Sequence, residues 1–322
     1  MIARYIIHHM YVVDLLCLLV VPLLLLALCW LVGCCVHRRR RGLMTGLVLA
    51  LLAAGGYLYG TYVGCRQLEV RPVELAFADL PSRFDGYRIV QISDIHAATI
   101  DVDFLRRAVD TIRALKPDLI VVTGDMVNAE PQELQPYLRQ LGRLKATDGV
   151  CAVLGNHDYG DYSYADDYTK DTNLGRLESM MVDMKWTVLM NSRRIIRRDD
   201  QRLVVAGMEN DGEGRFPALG DIGSTLWRVG RQDFVVMLEH DPTSWRRKIL
   251  RHCHAQLTLS GHTHGGQLSL LGWSPAALRY HEYDGVYWMG DRCLNVTRGL
   301  SAAIPFRLGA TPEVVVITLK KK

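Results

Sequence analysis

Two histidines one residue apart, His262 and His264, sit where the strand-like run "AQLTLSG" meets a pair of glycines. In an extended chain, residues i and i+2 point to the same side, so both imidazoles can address one spot. Such a pair can hold a metal. Four further runs end the same way: "RIVQIS" at Asp94 with His96 beyond it, "DLIVVTG" at Asp125, "GVCAVLG" at Asn156 followed by His157 and Asp158, and "DFVVMLE" at His240. Imidazole nitrogens mixed with carboxylate and amide oxygens, without cysteine, suit Zn, Mn or Fe(II) better than a structural thiolate site.

Something must bring these residues together. Each run is rich in β-branched residues or leucine and reads as a strand, which places the polar residues at strand C-termini. Between the first two runs, "DVDFLRRAVDTIRALKP" carries Phe104, Leu105, Ala108, Ile112 and Leu115 at helical spacing and stops at Pro117. "PQELQPYLRQLGRL" repeats the pattern between the second and third. A further helix is expected from Asn173 to Met184, with Leu174, Leu177, Met181 and Met184 in the core, and "RRIIRRDDQRLVVAG" reads as a hairpin turning at Asp199 and Asp200. Alternating strands and helices define an α/β domain, and open α/β sheets bind ligands along the edge where their strands end.

The ordered blocks resemble the calcineurin-like metallophosphoesterases, over roughly Arg88 to the C-terminus. The strings "LSGHTHGGQ" and "VTRGL", with the tail "PEVVVITL", look like the membrane-associated bacterial branch of that family. The first block departs slightly, reading "SDIHAA" where "SDLHLG" is commoner. The resemblance implies a four-layer α/β/β/α sandwich and two divalent metal ions, Mn, Fe, Zn or Mg. One ion would be held by Asp94, His96, Asp125 and His264. The other would take Asn156, His240, His262 and the shared Asp125, the carboxylate bridging through its two oxygens. Two such metals about 3.5–4 Å apart acidify a water and stabilise the entering and leaving oxygens of an attack on phosphorus. In the family, the residue at His157 protonates the leaving group or steadies the transition state, and Asp158 would fix its tautomer and orientation. Arg298, in the family-like "TRG", is not counted as a site residue. His8, His9, His37, His252, His254 and His281 fall outside the blocks.

The N-terminal part of this 322-residue chain is different in kind. Tyr11 to Val36 is apolar apart from Asp14, and Leu43 to Gly64 is uncharged. At 1.5 Å per residue each run spans a hydrocarbon core of roughly 30 Å. The first run is too long for the apolar region of a signal peptide. A transmembrane hairpin over residues 1–64 is therefore expected, then a linker and domain entry over 65–87 and the catalytic domain over 88–322. The connection "HRRRRG", His37 to Gly42, should stay in the cytoplasm by the positive-inside rule, leaving the catalytic domain outside a bacterial cell membrane; Arg66 and Arg71 act against this. Gly56 and Gly60 form a small-xxx-small pattern, which either lets helices pack closely or reflects the frequency of glycine in membrane helices.

The net charge of +4 lies wholly in the anchor, whose five arginines and one aspartate leave the remainder neutral. No basic field marks a nucleic-acid partner. The eight cysteines show no zinc-framework spacing; Cys151 reads as a buried thiol, and Cys253 could pair with Cys293 only in an extracytoplasmic domain. The function expected is a membrane-anchored phosphoesterase acting on a phosphate ester or pyrophosphate, lipid-linked, beside membrane lipids. Two alternatives stand with it: a cytoplasm-facing enzyme resembling UDP-2,3-diacylglucosamine pyrophosphatase, and a non-catalytic scaffold of the same fold.

Overall fold

The computed structural model describes residues 9–322, so His8 and Arg4 lie outside the described residues. Among the described residues two antiparallel helices come first, α1 (Met10–Cys35) and α2 (Arg39–Tyr62). Both are long and apolar enough to cross a membrane. Pro22 has no N–H to give, and the turn before it, Leu16–Val20, widens to π spacing. Asp14, the one acid in the run, accepts a hydrogen bond from the Tyr57 hydroxyl at 2.6 Å, so its carboxyl group faces the partner helix. Three of the four loop arginines form the first turn of α2, and the connection narrows to Val36–Arg38.

Among the described residues twelve strands make two six-stranded sheets. The first has the order β1 (Glu69–Phe77), β12 (Glu313–Lys321), β2 (Arg88–Ile92), β3 (Leu119–Thr123), β4 (Val150–Val153), β5 (Trp186–Val188). The second runs β10 (Gly285–Met289), β11 (Arg292–Val296), β9 (Leu257–Ser260), β8 (Phe234–Leu238), β7 (Gln201–Gly207), β6 (Ser192–Arg198). The ligand-bearing strands β2, β3 and β4 are mutually parallel, as are β8 and β9, so all five predicted blocks start where parallel strands end.

Strand periodicity sorts the layers. Ile89, Val121 and Val153 face Val205, Val236 and Leu259 across the space between the sheets, while Val90, Val122 and Ala152 turn outward onto α3 (Val102–Leu115) and α4 (Asp167–Asp183). Val204, Val235 and Met237 pack outward against the helical segment carrying Trp245 and Ile249. The result is the expected α/β/β/α sandwich. Strands buried on both faces read as unbroken apolar runs, which made them recognisable. At the seam, Gln91 on β2 donates to Ser260 O on β9 at 2.9 Å and accepts from Asn295 on β11 at 2.7 Å, fixing the two sheets' ends relative to each other.

Differences from expectation have local causes. The stretch read as linker and domain entry contains β1, an edge strand paired in parallel with β12; Pro72 and the charges of Glu69, Arg71 and Glu74 hide its pattern. α4 begins at Asp167, because Asp166 caps the N–H of Thr169. "PQELQPYLRQL" forms a 3-10 turn, Pro131–Tyr137, and only one α-helical turn after it, Pro136 having no N–H to continue a longer helix. The hairpin turns at Asp199 and Asp200 as expected. Cys253 and Cys293 are both free, Cys293 facing the inter-sheet core and Cys253 the outer layer.

The small-residue pattern on α2 serves another partner. Residues Ile304–Gly309 of the sandwich lie along this helix: the Phe306 ring stacks on Tyr57 at 5.9 Å, and Arg307 N donates to Gly60 O at 3.1 Å. A Cβ at Gly60 would collide with the Phe306 ring, and one at Gly64 with the Arg307 carbonyl. Packing between α1 and α2 instead uses Gly33, Gly42 and Gly46.

Candidate metal centre

All seven predicted ligands come to one edge of the sandwich, five of them buried and His262 and His264 partly so. Asp94, His96 and His264 form one group of facing ligand atoms, and Asp94, Asp125 and His240 another. Asp125 lies between the two halves. Its Oδ2 is 3.5 Å from His96 Nε2 and 3.3 Å from His240 Nε2. Its Oδ1 accepts the backbone N–H of His157 at 2.9 Å. Oδ2 is thus the oxygen that faces both halves. On the second half, His262 Nδ1 sits 2.7 Å from Asn156 Oδ1 and 3.3 Å from His240 Nε2. His262 thus faces Asn156 and His240, whereas His264 faces Asp94 and His96, and His157 joins a third group with His96 and Asp125.

The backbone is bent to make this possible. Asp94, His96, Asp125, His262 and His264 all have φ between 46° and 72°. Left-handed backbone costs a side-chain-bearing residue roughly 1–2 kcal/mol, and such strain collects at functional sites. Close approach also requires Gly155, where a Cβ would strike the Asp125 carboxylate.

Several features fit cations. Both ring nitrogens of His96 and Nδ1 of His264 are buried without a hydrogen-bond partner. Burial of a polar atom in that state is costly unless something else meets it. Burial, reinforced by neighbouring imidazoles, holds His96 and His264 well below the usual histidine range, in the neutral form that ligates. Burial also raises Asp94 to about 7, with Asp125 adding to the effect. At His240 burial acts downward, but the carboxylates of Asp125 and Asp94 outweigh it and raise the group to about 10. The buried carboxylates need positive charge, and the donor set suits two divalent ions.

Other residues orient the ligands. Thr123 O accepts a hydrogen bond from His240 Nδ1 at 2.7 Å, leaving Nε2 for Asp125 and the centre. Tyr280 OH lies 3.0 Å from His262 Nε2, with Asp241 Oδ2 at 3.7 Å, which frees Nδ1 to face Asn156. Arg307, fully buried, donates Nη1 to His264 O at 2.7 Å and Nη2 to Arg298 O at 2.7 Å and to Ser301 O. Burial lowers its guanidinium to about 10, still charged at neutral pH.

His157 lies against His96 with ring centroids 4.8 Å apart, and Tyr162 stacks on it at 4.0 Å. Its orientation is a correction to the sequence reading. Nδ1 is bound by Asn128 O at 2.7 Å, whereas Asp158 accepts from the backbone N–H groups of Met126, Val127 and Gly155. Asp158 thus ties together the loops bearing Asp125 and Asn156. The Asp158 carboxylate is directed at these amides, and the imidazole Nδ1 at the Asn128 carbonyl. Arg298 is engaged by Glu313 and Glu69.

Sandwich, paired ligand sets and buried charge define a metal-dependent phosphoric ester hydrolase. The sequence profile described as "Calcineurin-like phosphoesterase" matches residues 87–266, and the chain belongs to that family. It is 32% identical over 279 residues to the "Uncharacterized metallophosphoesterase YkuE" of Bacillus subtilis, spanning 84% of this chain and 92% of that one. It is 29% identical over 292 residues to the "Transmembrane protein with metallophosphoesterase domain" of Danio rerio, 88% of this chain but 63% of the relative. A solved dimetal phosphatase from Danio rerio aligns with a TM-score of 0.40 and 15% identity over 67% of this chain and 88% of that one.

Proposed function

We propose that this protein hydrolyses a phosphate ester or pyrophosphate carried on a membrane lipid, from the extracytoplasmic side of a bacterial cell membrane. The observation that carries the reading is the path from helix to ligand. Arg307 joins Gly60 O on α2, through its own N–H, to His264 O, through its guanidinium. The centre is thereby held at a fixed place beside an apolar helix. A soluble ester would gain nothing from this, whereas a lipid-borne phosphate meets the site at high local concentration. The arginines of the α1–α2 connection support the orientation.

Asp94, His96, Asp125 and His264 would hold one ion, and Asp125, Asn156, His240 and His262 the other. When bound, the pair supplies the acidity and positive charge that water attack on phosphorus requires. The protein's own groups do the rest. Asn128 O accepts from His157 Nδ1–H, so the second proton, drawn from solvent when the phosphate anion offsets the burial that lowers this imidazole, sits at Nε2. His157 gives that proton to the leaving oxygen as the P–O bond breaks. Tyr162, stacked on the ring, keeps the imidazole from turning away.

The test is a screen of the purified full chain in nanodiscs, with Mn, Zn, Fe or Mg, against lipid phosphates and lipid diphosphates. Each is paired with the same headgroup lacking acyl chains. The lipid member should be cleaved at least tenfold more efficiently. Equal efficiency across the pairs would refute the lipid reading while leaving the hydrolase intact.

A further inference from the structure

The loop that leaves the His264 turn does something a water-facing loop should not. Leu270 N–H donates to Trp273 O at 2.9 Å and Trp273 N–H to Leu270 O at 3.0 Å, closing a tight two-residue turn. Its tip is Leu271 (φ 53°) and Gly272 (φ 81°). Turns with both central residues at positive φ favour Asn-Gly or Asp-Gly, and leucine is poorly suited to the first place. Here leucine occupies it with 109% of its reference surface exposed, flanked by Leu278 at 81%, Leu270 at 55% and Trp273 at 52%. Singly exposed leucines are ordinary, but four large apolar side chains on one projecting loop mark a contact surface.

What covers that surface follows from where the loop is rooted. Ser269 N–H donates to Leu308 O at 2.8 Å, and Leu268 bridges to Leu308 and Gly309. Leu308 in turn reaches α2, its Cδ2 lying 3.5 Å from where a Cβ on Gly56 would stand. Gly56 is six residues inside the end of α2 at Tyr62, about 9 Å along the helix at 1.5 Å per residue. Arg307, next to Leu308, meets Gly60 O with its N–H and the Gly64 position with its carbonyl, so the root of the loop is level with the last turns of α2, where the apolar run ends. Tryptophan and leucine together suit the boundary between headgroups and acyl chains.

Both ends of the loop belong to the catalytic centre. It starts at His264, where Ser274 Oγ returns to donate to Gly265 O at 2.8 Å, and it closes at Tyr280, whose hydroxyl meets His262 Nε2 at 3.0 Å. Arg279, exposed beside Tyr280, brings a cation to the loop's base.

We infer that the Leu270–Leu278 loop is inserted into the bilayer as an apolar lip beside the metal centre. The insertion needs no particular substrate. Resting on the lipid reading above, it adds that the substrate's phosphate passes to the ligands along the lip while its chains stay among the lipids.

The experiment uses the full chain in nanodiscs of phosphatidylcholine and phosphatidylglycerol, with acyl chains either plain or brominated near the headgroup. Tryptophan fluorescence is compared between the wild type and Trp273→Phe, so that Trp30 in α1 cancels. Wild type should lose more fluorescence to bromine than Trp273→Phe does. The Leu271→Asp, Leu278→Asp variant should lose most of that difference while keeping its far-UV circular dichroism. Identical quenching of wild type and Trp273→Phe by bromolipid overturns the inference. So does a Trp273 shielded from aqueous iodide yet untouched by bromine, since protein, such as a second copy of the chain, then covers the face. Bromine quenching of Trp273 together with equal cleavage of lipid and chain-free esters keeps the lip and removes the lipid substrate. Absent quenching with preferred cleavage of lipid esters does the reverse.

Discussion

Replacing Arg307 with methionine tests whether one buried cation holds the His264 turn. The guanidinium donates to the carbonyls of His264, Arg298 and Ser301. A hydrogen bond from a charged donor contributes about 1.5–3 kcal/mol, so the three are worth roughly 4–9 kcal/mol gross. Methionine recovers part of this by burying its own apolar surface, about 2 kcal/mol, and by sparing the desolvation of a charge, which is of a similar size or larger. A net loss of about 3 kcal/mol remains. For a domain of this size that lowers Tm by roughly 6–12 °C. The freed His264 carbonyl should also loosen the ligand, and loss of an outer partner typically weakens metal binding about 10–100-fold. Circular dichroism melts at one fixed scan rate, and manganese binding by equilibrium dialysis, measure the two effects separately. A Tm within about 2 °C of wild type and unchanged manganese affinity would show that the carbonyls find other donors and that Arg307 fastens nothing.

Asp125→Asn should lose turnover more completely than Asn156→Ala and show fewer than two ions per chain by elemental analysis, because Oδ2 serves both ligand sets; two retained ions with near-normal turnover would end the bridging assignment. His157→Gln should keep both ions yet slow hydrolysis by about 10²–10⁴-fold, with a smaller loss for a nitrophenolate leaving group than for an alkoxide. Equal losses on the two would mean His157 is not the acid. A reporter active only in an oxidising exterior compartment, fused after Lys322, should be active, and neutralising Arg38 to Arg41 should weaken that preference. A cytoplasmic terminus would instead put the UDP-sugar pyrophosphatase reading ahead.

The five blocks could be read from sequence because each couples an apolar run to a polar stop, and parallel strands put such stops on one edge. His262 and His264 come to the same edge for the same reason, and the turn between them gives them different neighbours, Asn156 and His240 for one and Asp94 and His96 for the other. What escaped notice consists mostly of contacts to backbone. Asn128 holds His157 with its carbonyl, and Thr123 does the same for His240, a function any residue type could perform. Asp158 sits next to His157 in sequence, and adjacency made a contact between them plausible, but the chain turns so that its carboxylate meets three amides instead. Tyr280 lay in a segment with no periodic pattern. The glycines of α2 were visible, but their partner was not, because it lies more than two hundred residues away.

The order of strands in the first sheet also sets a schedule. β1 and β2 are nearly consecutive in the chain, yet they do not touch; β12, made roughly 225 residues after β2 begins, lies between them and pairs with both. At about 5–20 residues per second of synthesis, the strand that leads to Asp94 waits on the order of ten to forty seconds for the neighbour that covers its edge. Through that interval the hairpin is already made, while the sheet beside it has an open slot. Closing the slot is a long-range pairing, slow by nature, so hydrolytic competence waits for β12, later than all seven ligands.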